Sequence, residues 1–167
     1  DQFVSNIDLA PTFLDLASLP IPDFMQGRSL APLLRGESPD DWRQTFYYRY
    51  YHSPGHHNTV AHLGVRTRTH KLIYYWDRDA YELFDLVDDP KEQKNLLYSP
   101  SDSGKPEVQK LFKDLKAEIA RLQKEFKDDG QYADPKTWPK GSSDRPAKRE
   151  AVGKVDITKA IEIAAGK

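Results

Sequence analysis

The sequence predicts an α+β fold: a four-stranded antiparallel sheet covered by one long helix on its C-terminal side. Two observations carry that class. Four short runs rich in aromatic and β-branched residues (45–51, 60–67, 71–76 and 81–86) follow one another with turn residues between them. The period then changes, and Val108, Leu111, Phe112, Leu115, Ile119, Leu122 and Phe126 form one apolar stripe at helical spacing. A sheet of this kind buries one face, and an amphipathic helix is its natural cover.

Ahead of the sheet, Ser5 and Asp8 form a capping-box pattern in which Ser5 is expected to accept an amide hydrogen bond. Ile7, Ala10, Phe13, Leu14 and Ala17 recur at helical spacing, with Pro11 tolerated in the first turn and Pro20 and Pro22 expected to end the helix. A short helical turn is expected over 30–34, and Gly27 and Gly36 are read as turn residues.

The first strand is TFYYRYY. The second and third, VAHLGVRT and KLIYYW, flank a short connection suited to a hairpin. In the fourth, Tyr81, Leu83 and Asp85 alternate with Glu82, Phe84 and Leu86, and Asp88-Asp89-Pro90 supplies turn chemistry. Pro106 marks the start of the long helix. Beyond Gly130 the chain is rich in proline and charge and reads as an irregular tail, with a possible terminal helix over 155–165. The expected organisation is an N-terminal helical segment over 1–41, the sheet with its helix over 42–129, and the tail over 130–167.

The 167 residues carry 25 basic against 26 acidic side chains, a formal charge of -1, which argues against a broad basic nucleic-acid surface. No apolar run approaches the roughly 20 residues that cross a bilayer. With no cysteine, disulfides, thiolate metal sites and a cysteine nucleophile are excluded within the segment. The opening Asp1-Gln2-Phe3-Val4 looks like the end of an extended segment, with no initiator methionine or secretion signal, so a piece of a longer protein is expected.

Candidate chemistry gathers between the first two strands, at His52, His56, His57, Asn58 and His62. Histidines in this setting hold a ligand through polar contacts, bind metal, or serve as ordinary loop and strand residues. The spacing lacks a metal motif. Arg49, Arg66 and Arg68 could clamp a sulfate, phosphate or carboxylate; the competing expectation is a cross-strand pair with Glu82 or Asp85. The dense tyrosines and tryptophans fit a sugar-stacking platform or a sheet packed by aromatics on both faces.

VSNIDLAPTFLDLASLPIPDFMQGRSLAPLL, then FYYRYY, HNTVAHLGVRTRTHKLIYY and YELFDLVDDPKEQKNLL, together spanning Val4 to Tyr98, resemble in order the C-terminal part of type I sulfatases of the alkaline phosphatase superfamily. The resemblance extends to bacterial sulfatases acting on sulfated glycans. It implies a parent enzyme that hydrolyses sulfate esters with a formylglycine made in a Cys/Ser-x-Pro-x-Arg motif beside calcium. No such motif occurs here. The segment would then be the small subdomain of an alkaline-phosphatase-like α/β enzyme, with no catalytic residue and no metal ligand of its own. It would be partnered by the N-terminal catalytic portion and working in the periplasm or outside the cell.

In that frame His57, Asn58, His62 and Arg66 are the candidates for binding a sulfated carbohydrate. An apolar patch around Val4, Ile7, Phe13 and Leu14 is expected to be exposed when the segment stands alone. The alternatives are a non-catalytic glycan- or protein-binding module and the equivalent segment of a phosphoesterase.

Overall fold

The computed structural model describes residues 2–51 and 59–130, which fall into two compact units, one ending at Trp42 and the other beginning at Arg43. The expected tail beyond Gly130 lies outside the described residues.

In the first unit a 3-10 turn, Asn6–Asp8, leads into α1, Leu9–Leu16; α2 is Ala31–Leu34. The capping box works through its acidic member, with the Ser5 backbone N–H donating to Asp8 Oδ2 at 2.7 Å. Asp8 is buried, and its other carboxylate oxygen accepts the Arg28 N–H at 2.9 Å. Thr12 Oγ1 donates to the Asp8 carbonyl and accepts the Leu30 N–H at 2.8 Å, so one turn of helix holds the returning chain by two polar side chains. Gly27 sits at a bend and carries a further constraint. A Cβ there would lie 2.0 Å from the Ile7 carbonyl oxygen, so this glycine permits two backbones to touch.

The helix also stops before the prolines. Ser18 has φ 56°, its N–H donates to the Asp15 carbonyl and the Leu19 N–H to the Leu14 carbonyl. That is a Schellman ending with serine where glycine is usual. In this unit Val4, Ile7, Phe13, Leu16 and Phe24 are exposed, while Leu14 is half-buried.

In the second unit the strands are β1 Phe46–Tyr50, β2 His62–Arg66, β3 His70–Tyr75 and β4 Ala80–Asp85, and α3 is Pro106–Glu125. The sheet runs β1-β2-β3-β4 with every pair antiparallel. Leu63, Val65, Leu72 and Leu83 point to one face, where they meet Val108, Leu115, Ile119 and Leu122 of α3, with Tyr47, Tyr74 and Tyr81 packed around them. The alternation in β4 therefore places Tyr81 and Leu83 towards the helix, as the pattern predicts.

The edge strand β4 is closed by Asn95. Its side-chain oxygen accepts the Leu83 N–H at 3.1 Å, its amide donates to the Tyr81 carbonyl at 3.2 Å, and the Leu96 N–H reaches the Leu83 carbonyl at 2.9 Å. An amide side chain here stands in for a fifth strand and removes an exposed edge. The turn before α3 is tied by Asp102, whose carboxylate accepts from Lys105 at 2.7 Å and from Ser99 at 2.6 Å and pairs with Lys94 at 2.5 Å.

Candidate functional site

Period-two alternation in β2 decides what the second face of the sheet presents. Because Leu63 and Val65 are buried against the helix, His62, Gly64 and Arg66 lie on the opposite face. Register then brings neighbours to them. Tyr50 is opposite His62, Tyr48 and Ile73 flank Gly64, and Phe46 and Lys71 flank Arg66. Tyr48, Tyr50 and Tyr75 surround His62 with ring centroids at 5.7, 5.7 and 5.6 Å. The sheet is thus packed by aromatics on both faces.

The tautomer of His62 follows from its partner. Nδ1 lies 2.7 Å from the Val60 carbonyl oxygen, which can only accept, so Nδ1 carries the proton. In the neutral ring Nε2 is then an acceptor, and it has no hydrogen-bond partner among the described residues. The Tyr75 hydroxyl donates to Glu82 Oε2 at 2.8 Å, and burial together with that carboxylate pushes its pKa up to about 12. Burial raises Tyr48 as well. Both phenols are therefore protonated at neutral pH and serve as fixed polar groups beside the imidazole.

Arg66 is exposed and makes no ion pair among the described residues. The expected bridge from Arg66 to Glu82 or Asp85 does not form, because register sets Arg66 opposite Lys71. Glu82 is engaged by Tyr75, and Asp85 stands opposite His70, 3.9 Å from its Nε2. Lys71 is itself held by Glu92 at 2.6 Å. The face thus runs from an aromatic-ringed histidine to an arginine about 13 Å away, four strand residues on.

Arg49 is withdrawn from any anion clamp. Its side chain is 6% exposed, it pairs with Asp128 just past α3, and its guanidinium sits between the rings of Tyr51 and Trp76 at 4.8 and 4.6 Å. Tyr47 donates to the same carboxylate. Burial alone would raise Asp128, yet the hydrogen bonds from Arg49 and Tyr47 hold it below the ordinary carboxylate range.

Of the four residues singled out from sequence, His62 and Arg66 therefore share one sheet face. His57 and Asn58 lie outside the described residues, as do His52 and His56. Sequence reasoning named Tyr48 and Tyr75 only among the dense aromatics and overlooked Gly64 as a member of this surface. An isolated glycine inside a strand run is the signal that points to close approach there.

Chemically the surface can bind and orient: flat rings for a sugar, an imidazole nitrogen for a hydroxyl, and a guanidinium with no ion pair among the described residues for an anion. Among the described residues no three His, Asp or Glu side chains converge to hold a metal ion. The resemblance assigns calcium to the N-terminal catalytic portion of a parent enzyme, and no step is routed through such an ion here.

Comparison with known proteins gives a consistent picture. The family model for the C-terminal portion of N-sulphoglucosamine sulphohydrolase matches residues 1–125. An N-acetylglucosamine-6-O-sulfatase of Bacteroides thetaiotaomicron is 41% identical over 126 residues, which are 74% of this chain and 22% of that protein. A Delta 4,5-hexuronate-2-O-sulfatase of the same bacterium is 36% identical over 95 residues, 57% of this chain and 20% of that protein. A solved structure in complex with its substrate, D-glucosamine-2-N,6-O-disulfate, superposes with a TM-score of 0.65 at 39% identity, covering 73% of this chain and 24% of that one. The chain spans about a quarter or less of the length of these relatives.

Proposed function

The chain belongs to the N-sulphoglucosamine sulphohydrolase C-terminal family, and on that premise we propose that it completes a sulfatase that hydrolyses sulfate esters on a glycan. The observation that carries this reading is the family match over residues 1–125 together with the 41% identity to an N-acetylglucosamine-6-O-sulfatase. In this reading residues 1–41 close the large domain and 42–129 form the small subdomain. Nucleophile and metal belong to the N-terminal catalytic portion. A formylglycine beside calcium, when present there, supplies attack on sulfur and charge neutralisation.

The contribution of this chain is positioning. His62 Nε2 accepts a hydrogen bond from a sugar hydroxyl, the tyrosine rings limit the plane of the sugar, and Arg66 meets an anionic substituent of the glycan. His57 and Asn58 are proposed to join them. Orientation of this kind raises kcat/KM without breaking bonds. The exposed Val4, Ile7 and Phe13 support burial against the catalytic portion, since a patch this apolar is costly to leave in water. A periplasmic or secreted location fits this reading; no helix among the described residues is long and apolar enough to cross a membrane.

The test is release of inorganic sulfate from a 6-O-sulfated N-acetylglucosamine oligosaccharide by the full-length protein carrying this chain. The reading expects His62→Ala to lower kcat/KM about tenfold, equivalent to roughly 1.4 kcal/mol of transition-state stabilisation. Unchanged kcat/KM in both His62→Ala and Arg66→Ala would remove this face from the substrate site.

A further inference from the structure

Helix α3 separates its charges by flank. On one side stand Glu107, Asp114, Glu118 and Glu125, and Lys110 and Arg121 neutralise three of them: Lys110 meets Asp114 at 2.6 Å, and Arg121 meets Glu118 at 2.7 Å and Glu125 at 2.6 Å. At helical spacing on the other side come Gln109, Lys113, Lys116, Ala120 and Lys124, with no acidic residue among them. Lys113, Lys116 and Lys124 are exposed and make no ion pair among the described residues. Over eleven residues these lysines span about 17 Å of helix.

The flank has an aromatic border. Lys116 Nζ lies 4.8 Å from the centre of the Tyr81 ring and 5.2 Å from that of Phe112. Tyr81 in turn stacks on Tyr74 at 4.4 Å and meets Phe112 edge-on at 5.1 Å. A solvated helix face needs neither the sorting of charge nor the aromatic rail. A sulfated polysaccharide matches both, with sulfates for unpaired ammonium groups and sugar rings for the tyrosine edge. Overall the chain carries a charge of -1, so the positive strip is local and not a by-product of general basicity.

We infer that this flank of α3 is an exosite for the sulfated polymer, separate from the surface that meets the sugar being desulfated. The helix and the His62 face lie on opposite sides of the sheet, so the strip engages a distant part of the same chain or a neighbouring chain. This rests on the proposed glycan sulfatase activity for the identity of the polymer, and on the charge pattern for the site.

The experiment titrates the full-length protein with a size-fractionated heparin oligosaccharide at several salt concentrations. It compares wild type, the triple variant Lys113→Gln/Lys116→Gln/Lys124→Gln, and the control Lys91→Gln. Glutamine preserves helix propensity. The triple variant is expected to bind at least about tenfold more weakly at low salt, and the slope of affinity against salt to flatten by roughly one unit per lysine engaged. The control should retain wild-type binding, and all three proteins should turn over a monosaccharide sulfate equally.

Wild-type binding by the triple variant, or an equal loss in the control, would overturn the exosite. Duplex DNA binding as tightly as heparin would overturn its assignment to glycan. Strip-dependent heparin binding by a protein that releases no sulfate would support the exosite and count against the hydrolase reading alone.

Discussion

Gly64 lies flat beneath Tyr48: a methyl group added at Gly64 would stand 2.7 Å from the Tyr48 hydroxyl oxygen and 2.8 Å from its Cε1, with the Leu72 carbonyl oxygen also at 2.7 Å. The side-chain ring could swing away, but the strand backbone could not. Gly64→Ala is therefore expected to destabilise the protein by about 2 kcal/mol, in the range of overpacked cores, and to loosen the tyrosines around His62. Chemical denaturation measures the first effect. A rise in KM of the full-length protein for the proposed glycan substrate, with folding still cooperative, measures the second.

Ser18 offers the opposite case. With φ 56° at the end of α1, it bears a left-handed backbone strain that glycine does not. Ser18→Gly is expected to raise stability by about 1 kcal/mol, read as an upward shift of the denaturant midpoint. A fall in that midpoint would mean the serine side chain holds the turn.

Arg49 and Asp128 form a pair whose members lie 79 residues apart in sequence and are almost closed off from solvent. Removing one partner leaves the other charge buried, so Asp128→Ala should cost about 3 kcal/mol. Replacing both by Met and Leu should recover most of that loss. Equal destabilisation in the single and double variants would show that the pair, and not the stranded charge, matters.

Acid should act through carboxylates held below their ordinary range. The hydrogen bonds from Lys105, Lys94, Ser99 and Ser101 lower Asp102, while hydrogen bonding from Arg121 lowers Glu118. A depressed folded-state pKa contributes stability that is present above the unfolded value, about 3.9 for an aspartate, and lost as pH falls below it towards the folded value. Thermal unfolding should thus be nearly flat between about pH 7 and 5 and fall below about pH 4. Asp102→Asn should lower stability at neutral pH and make the acid limb shallower.

Much of the fold was legible because local chemistry and tertiary packing agree. The four strand runs and the stripe from Val108 to Phe126 each match an observed element, with differences of a residue or two at the ends. What escaped depends on distant partners. Gly27 reads as a bend residue, but its contact with the Ile7 carbonyl is not legible in the sequence, and Arg49 reads as an anion clamp until Asp128 arrives from beyond α3. Register, which pattern alone does not give, set Arg66 beside Lys71, and among the described residues it makes no ion pair. The site was visible in part: alternation puts His62 and Arg66 on one face, but the tyrosines around His62 come from the two strands that flank its own, β1 and β3.

The most direct measurement sets the full-length protein and the isolated 167-residue chain side by side with a sulfated glucosamine oligosaccharide and counts inorganic sulfate. The expected result is release by the full-length protein alone. Sulfate released by the isolated chain, or none released by the full-length protein from any sulfated glycan, would contradict a segment that orients substrate while another part of the polypeptide cleaves it.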